Sequence, residues 1–125
     1  MMTSLIQVAL GGAIGASARY LTNVATLRLA GPGFPWGTVV VNVLGSFLMG
    51  ILVVGLAQLS GNRFAPLLMT GVLGGFTTFS AFSLDAVTLW ERGEVVYAFA
   101  YVAGTVSVSI AALVAGLFVA RGAFA

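Results

Sequence analysis

At 125 residues, of which 60% are hydrophobic and only 6% charged, the chain is too apolar for a soluble domain and has the composition of a membrane protein. It contains no cysteine and no histidine, which excludes disulfides, zinc–thiolate sites and histidine-dependent catalysis, so we do not expect an enzyme. The net charge of +2 comes from arginines spread singly along the chain, which argues against nucleic acid as a partner.

Four apolar runs predict four transmembrane helices in one domain that covers residues 1–125. Glycines, prolines and charged residues separate the runs, and each run has the ~20 residues needed to cross ~30 Å of hydrocarbon. The predicted helices cover residues 5–24, 36–56, 67–89 and 95–120. The first run is too long for a signal-peptide core, so we expect it to stay as a spanning helix, with both termini on the same side of the bilayer.

The charges give these helices no clear orientation. One side of the predicted bundle holds Arg63 and Arg121, and the other holds Arg19, Arg28 and Arg92. The positive-inside rule compares arginine and lysine counts in short loops, and two against three favours neither side. Four short helices also enclose too little volume for a transmembrane path. We therefore hypothesise that the chain inserts in both directions and forms an antiparallel homodimer.

The first predicted helix carries Gly11, Gly15 and Arg19 at positions i, i+4 and i+8. Small residues at this spacing let two helices approach closely, so the glycines predict a packing face. Several interpretations of Arg19 stay open. Its side chain reaches the interface beside Tyr20, or it caps backbone carbonyls, or it keeps a vestibule positive for anions.

The second predicted helix places Thr38, Asn42 and Ser46 on one stripe. A side-chain amide such as Asn42 is costly in an apolar helix unless it is hydrogen-bonded, so it must face a partner helix or a wet path. Two interpretations of Asn42 stay open: it joins two helices, or it donates two N–H groups to an anion.

The third predicted helix contains a weak point at the centre of its apolar run. Gly74 and Gly75, followed by Thr77 and Thr78, lower helix propensity at the depth of the bilayer centre. We therefore predict a break that releases backbone carbonyls from their i−4 partners. Lipid offers no hydrogen bonds, so such carbonyls require a ligand, a cavity or a neighbouring chain.

Two stripes follow the predicted break. Phe79 and Phe82 lie three residues apart on one stripe, and Ser80 and Ser83 lie on a second stripe about 100° around the helix axis. This pattern predicts an aromatic wall beside a row of hydroxyl groups.

The fourth predicted helix adds hydroxyl groups at Tyr101, Thr105 and Ser109, again at i, i+4 and i+8. Serine and threonine in membrane helices often bond back to their own i−4 carbonyl, and this alternative stays open for each of them. Together with Asn42 and the serines of the third helix, however, they form a row of neutral donors. Donors without fixed cations predict a path for a small anion.

These motifs resemble the Fluc, or CrcB-type, fluoride channel family over essentially the whole chain. The most specific match is GGFTTFSAFS. The matching segments are residues 11–20, 36–38, 41–42, 45–47 and 74–83.

The resemblance implies a passive channel in the cell inner membrane that exports cytoplasmic fluoride and limits its toxicity. It further implies an antiparallel dual-topology homodimer with two pores and one central sodium ion, which the backbone carbonyls of Gly74 and Thr77 bind. The implied fluoride pore consists of Asn42, Phe79, Ser80, Phe82, Ser83, Tyr101, Thr105 and Ser109.

The chain departs from the pattern of that family at three positions. Ala81 stands where a threonine is common, and Leu113 where a further threonine of the polar track is often found. Asp85 replaces a glutamate. Two interpretations of Asp85 stay open: it acts with Arg19 in the electrostatics of a vestibule, or it packs against a loop.

Two other functions compete with a channel. A small proton-coupled transporter needs a carboxylate inside the membrane, and only Asp85 qualifies, although it lies toward the end of its helix. A subunit that only packs against a larger complex accounts for the glycines but leaves the hydroxyl donors unexplained.

Overall fold

The computed structural model describes residues 1–59 and 61–124, and these residues form four helices joined by short turns. The helices are α1 (Met2–Ala30), α2 (Trp36–Leu59), α3 (Pro66–Glu91) and α4 (Val95–Ala123). The predicted all-helical class is therefore confirmed. The helices extend beyond the predicted ranges at one or both ends.

Three of the described helices, α2, α3 and α4, are long and apolar enough to cross a membrane. Helix α1 has 29 residues and thus sufficient length, but it is less apolar because it carries polar and charged side chains such as Gln7, Arg19 and Arg28. The structure thus gives three helices that meet the criterion for a membrane span where the sequence predicts four.

The turns end the helices with residues suited to that conformation. Gly31, with φ of 79°, follows α1, and its N–H donates to the carbonyl of Leu27. Gly93, with φ of 80°, lies between α3 and α4. Only glycine adopts such positive φ values without strain, so both positions allow the chain to reverse direction sharply. Pro66 occupies the first turn of α3, where its missing N–H costs nothing.

Helix α3 is interrupted where the sequence predicts a break. Its first part, Pro66–Leu73, has π-helical hydrogen bonding and is followed by a short α-helical piece, Gly74–Phe76. The chain is then extended at Thr77, with φ −88° and ψ 158°. It resumes an α-helix at Ser80–Glu91. The break therefore separates α3 into two helical halves, Pro66–Phe76 and Ser80–Glu91.

Glycines allow the helices to pack with their backbones in contact. Helix α1 crosses the first half of α3, and a Cβ atom at Gly71 would lie 2.9 Å from the Cα of Gly11. Helices α2 and α4 pack in the same way, because a Cβ atom at Gly116 would lie 3.2 Å from the Cα of Gly50. The packing face that Gly11 and Gly15 predict on α1 is thus occupied by a neighbouring helix.

A buried apolar cluster lies between the second half of α3 and the first half of α4. It consists of Phe82, Leu89, Ala98 and Tyr101, and Phe34 of the 31–35 loop packs against it. Most other large apolar side chains are exposed on the single chain, as expected for helices that face lipid or another protein.

Candidate functional site

The break in α3 is held by Asn42 of α2. The Asn42 Nδ2 donates to the backbone carbonyl of Thr78 at 2.9 Å, and the Thr78 N–H donates to the Asn42 Oδ1 at 2.8 Å. One amide side chain therefore satisfies both backbone groups of a residue that has left the helix. Of the two interpretations left open for Asn42, the structure shows the contact that joins two helices. Among the described residues this contact uses one of the two N–H groups of the Asn42 amide.

The same break frees the carbonyls of Gly74 and Thr77, among others, from their helical donors. In a continuous helix the Thr78 N–H would bond the carbonyl of Gly74, but it bonds Asn42 instead. The Ala81 N–H would bond the carbonyl of Thr77, but it donates to the Thr78 Oγ1 at 3.1 Å. Thr78 thus caps the second half of α3. Among the carbonyls that the break releases, those of Gly74 and Thr77 are the ones that the family resemblance implies as sodium ligands.

A third contact at the break comes from α1. The Arg19 Nε donates to the backbone carbonyl of Gly75 at 3.0 Å. Arg19 is half-buried, whereas Tyr20 is 68% exposed, so the two side chains point in different directions. Of the interpretations left open for Arg19, the structure shows the one in which it caps a carbonyl.

A cavity of about 320 Å³, here called the central cavity, lies between α2, the break in α3 and α4. Five of the eight predicted pore residues line it. These are Asn42, Phe79, Phe82, Thr105 and Ser109. Leu113, which stands where the family often has a threonine, lies in its wall together with Val106 and Ile110, so that part of the lining is apolar.

Two hydroxyl groups in the wall of the central cavity lack hydrogen-bond partners among the described residues. They are the Thr105 Oγ1 and the Ser109 Oγ, and both atoms are buried. Other hydroxyls in the chain bond back to an i−4 carbonyl, for example that of Thr22 to Ala18 at 2.9 Å. A buried hydroxyl without a partner costs free energy, so these two groups are donors that a ligand could use at little cost to the chain's own hydrogen bonds.

The two phenylalanines after the break form a pair at the edge of this cavity. The ring centroids of Phe79 and Phe82 are 5.6 Å apart, with an angle of 51° between the rings. Phe82 is buried and also contacts Tyr101, at 5.1 Å, whereas Phe79 is 77% exposed. The outer ring is therefore available to a second chain or to lipid.

Three of the predicted pore residues do not line the central cavity as the structure describes it. The Ser83 hydroxyl donates to the carbonyl of Phe79 at 3.0 Å, and the Ser80 hydroxyl lies 3.4 Å from that of Thr78. Both serines are exposed, because the second half of α3 turns them away from α4. The third residue, Tyr101, is buried and directs its hydroxyl to Asp85.

Asp85 accepts two hydrogen bonds from buried hydroxyls. The Thr38 Oγ1 donates to the Asp85 Oδ2 at 2.7 Å, and the Tyr101 hydroxyl donates to the same oxygen at 3.1 Å. Thr38 is 6% and Tyr101 1% exposed, so the carboxylate has favourable partners although it is partly removed from water. The sequence indicates Thr38 as part of the Asn42 stripe but does not indicate its contact with Asp85.

Asp85 also lines a second cavity, of about 340 Å³, here called the loop-side cavity. It lies between the end of α1, the 31–35 loop, the start of α2 and the second half of α3. Its polar and charged lining residues are Asn23, Thr26, Thr38, Asp85, Thr88 and Arg92. Asp85 thus lines a cavity beside the 31–35 loop, whereas Arg19 bonds a carbonyl at the break, and a vestibule role for either residue stays a prediction.

Sequence reasoning missed two contributors to the site. The Thr78 hydroxyl accepts a hydrogen bond from the Ala81 N–H and so caps the second half of α3. The signal in the sequence is a threonine just before a helical segment, since threonine is a favoured N-cap residue. Phe34 packs on Tyr101 from a loop, and an aromatic residue between Gly33 and Pro35 is the only signal of this in the sequence.

Comparison with known proteins places this arrangement in one family. Residues 6–117 match the family model described as CrcB-like protein, Camphor Resistance (CrcB). A protein from Cereibacter sphaeroides named fluoride-specific ion channel FluC is 68% identical over 122 residues, which cover 98% of each chain. The protein of the same name from Paracoccus denitrificans is 56% identical over 125 residues, and all of both chains is covered. One from Mesorhizobium japonicum is 51% identical over 121 residues, which cover 96% of this chain and 98% of the relative. The resemblance that the motifs indicate is therefore confirmed, and the chain belongs to the CrcB-like family.

Proposed function

We propose that the chain is a passive, fluoride-selective ion channel of a cell membrane and is not an enzyme. The observation that carries this proposal is that Thr105 and Ser109 line the central cavity and that their buried hydroxyl oxygens have no partners among the described residues. Relatives that are 51% and 68% identical are named as fluoride-specific ion channels. Three apolar helices and these relatives indicate a multi-pass membrane protein, for which we propose the inner membrane.

The chemistry of the central cavity suits a small, strongly hydrated anion. A pore for fluoride must replace the hydration shell with hydrogen-bond donors, and neutral donors bind the ion without holding it too tightly for release. Thr105 and Ser109 offer hydroxyl groups, and Asn42 offers its remaining N–H. The ring edges of Phe79 and Phe82 carry the positive part of the aromatic quadrupole and add a weak attraction for an anion. We also include Ser80, Ser83 and Tyr101 in the proposed pore. Rotation of their hydroxyl groups, or pairing with a second subunit, would bring these groups to the path of the ion.

The same chain supports an antiparallel homodimer with two pores. Both tryptophans, Trp36 and Trp90, and also Tyr97 lie at one end of the helices, at the start of α2, the end of α3 and the start of α4. Aromatic belts normally mark both interfaces of a membrane protein. Two chains in opposite orientations would place such a belt on each side of the bilayer, and the exposed ring of Phe79 would then contact the partner.

A central sodium ion is compatible with the geometry of the break. The carbonyls of Gly74 and Thr77 have lost their helical donors, and oxygen ligands are those that a hard cation prefers. The described residues contain no cluster of acidic side chains that would hold a metal ion instead. We propose that these carbonyls bind sodium between two subunits, where the ion would satisfy both breaks and hold the crossed helices together.

Flux measurements on purified protein in liposomes test the proposed function. We expect fluoride efflux down its gradient, recorded with a fluoride-selective electrode, and no comparable chloride efflux. Phe82→Ile, which keeps an apolar side chain but removes the ring, should slow fluoride efflux. Efflux that requires a proton gradient would instead indicate a coupled transporter. Absence of fluoride efflux from folded protein would indicate a subunit that only packs with other proteins.

A further inference from the structure

The loop between α1 and α2 is built to hold one aromatic side chain against the helices. Gly31 turns the chain with its positive φ, and Pro32 and Pro35 each fix one backbone torsion. The Trp36 N–H donates to the carbonyl of Phe34 at 2.8 Å, which tightens the end of the loop. Whereas Pro32 is exposed, Phe34 is half-buried and packs against the buried cluster. The loop therefore presents Phe34 with little conformational freedom.

The Phe34 ring makes its most regular contact with Tyr101. Their ring centroids are 5.5 Å apart and the rings are nearly perpendicular, at 87°, which is the favoured edge-to-face arrangement. Phe82 contacts the Tyr101 ring at 5.1 Å. Phe34 also contacts Trp36 at 4.8 Å and Tyr97 at 6.2 Å, so it is itself held in place. Tyr101 is thus confined by an aromatic ring from a loop and another from α3.

The orientation of Tyr101 matters because its buried side chain contacts one residue from the wall of each cavity. That hydroxyl donates to Asp85, to which Thr38 also donates, and both partners line the loop-side cavity. Phe82, on the ring of Tyr101, lines the central cavity. The buried Tyr101 side chain therefore separates the two cavities and joins a residue of each wall.

From these contacts we infer that Phe34 is a positioning residue that sets the direction of the Tyr101 hydroxyl and thereby the rate of ion passage between the cavities. This inference rests on the proposed channel function and deepens it. Phe34 itself does not touch the ion. It acts through the Tyr101 ring, whose rotation would carry the hydroxyl away from Asp85 and change the donors that the ion meets.

The test measures fluoride efflux from liposomes that contain the full-length protein. Phe34→Ala should slow efflux about fivefold, the effect expected from loss of the Phe34–Tyr101 pair alone, because the contacts of Phe34 with Trp36 and Tyr97 do not involve the Tyr101 ring. Phe34→Tyr keeps the ring and should stay within about twofold of the unmodified protein. The matched control is Phe99→Ala, because Phe99 is 64% exposed and its ring contacts Trp90 rather than Tyr101. This control should leave efflux unchanged.

The Phe34→Ala substitution made in a Tyr101→Phe variant distinguishes a positioning role of Phe34 from a general contribution to the stability of the fold. Tyr101→Phe removes the hydroxyl but keeps the ring, and it should slow efflux by itself. If Phe34 acts through that hydroxyl, Phe34→Ala should add no further loss in the Tyr101→Phe background. A merely structural role predicts losses that add.

The outcomes separate this inference from the proposed function. If the unmodified protein carries no fluoride, the channel function and the inference both fail. If the unmodified protein conducts but Phe34→Ala equals it, or the two losses add, only the inference fails. Where Phe34→Ala does not fold, Phe34→Leu replaces it with the same expectation. If neither variant folds, Phe34 is a folding residue and the positioning role is rejected.

Discussion

The buried hydroxyl of Thr105 provides the sharpest test of the proposed pore. Thr105→Val replaces the hydroxyl with a methyl group of similar size. Since the hydroxyl oxygen has no partner among the described residues, the substitution removes no hydrogen bond of the resting chain. We therefore expect the melting temperature in detergent to be unchanged or slightly raised, because a buried polar group that lacks a partner is replaced by an apolar one.

Fluoride passage should respond very differently. A hydrogen bond to a charged group contributes about 1.5–3 kcal/mol, so loss of one donor to the ion should slow fluoride efflux about 10- to 150-fold. Ser109→Ala should act in the same direction. Ser107→Ala is the matched control, because Ser107 is exposed on the same helix, between the two, and should have no effect.

The assay pairs fluoride-selective electrode traces from liposomes with thermal unfolding of the same preparations. The expected result is a separation of the two measurements: slow efflux with full stability. If the Thr105→Val variant conducts fluoride at the normal rate, this hydroxyl does not belong to the ion path. A loss of stability that matches the loss of efflux would show that the hydroxyl has a structural partner instead.

The remaining predictions concern the break and the packing of the helices. Asn42→Leu should lower the free energy of unfolding by about 2–4 kcal/mol in denaturant titrations, because it leaves both backbone groups of Thr78 without partners; an unchanged stability would contradict the role of the amide. Gly71→Ala should destabilise the protein by about 1–3 kcal/mol, because the added methyl group meets the backbone of Gly11. Gly104→Ala, which adds a methyl group in open space, should not. Replacement of sodium by a large organic cation should lower the melting temperature, and equal values in both buffers would argue against a structural sodium ion.

The break in α3 depends on side chains from two other helices. Asn42 of α2 and Arg19 of α1 each bond a backbone group that the break exposes, and Thr78 caps the helix that follows. Substitutions at either distant helix should therefore disturb the geometry of the break. This explains why polar residues far apart in sequence occur in a chain that is otherwise strongly apolar.

Several features follow from the sequence because they depend on local chemistry. Composition sets the membrane class, and the length of the apolar runs sets the number of helices. Paired glycines and threonines place the interruption of α3, since backbone propensity is a property of neighbouring residues. The motif around Phe79 indicates the family, because a comparison with a family depends only on the order of the residues.

Contacts between distant residues were decided only by the tertiary structure. The way the helices cross decides three hydrogen bonds: Asn42 with Thr78, Arg19 with the carbonyl of Gly75, and Thr38 with the carboxylate of Asp85. The spacing of residues within one apolar run does not determine how the helices cross. Spacing alone also predicts one row of donors. In the structure Ser80 and Ser83 of α3 are exposed, whereas Thr105 and Ser109 of α4 line the central cavity, because the way the helices cross decides which face of each one is covered.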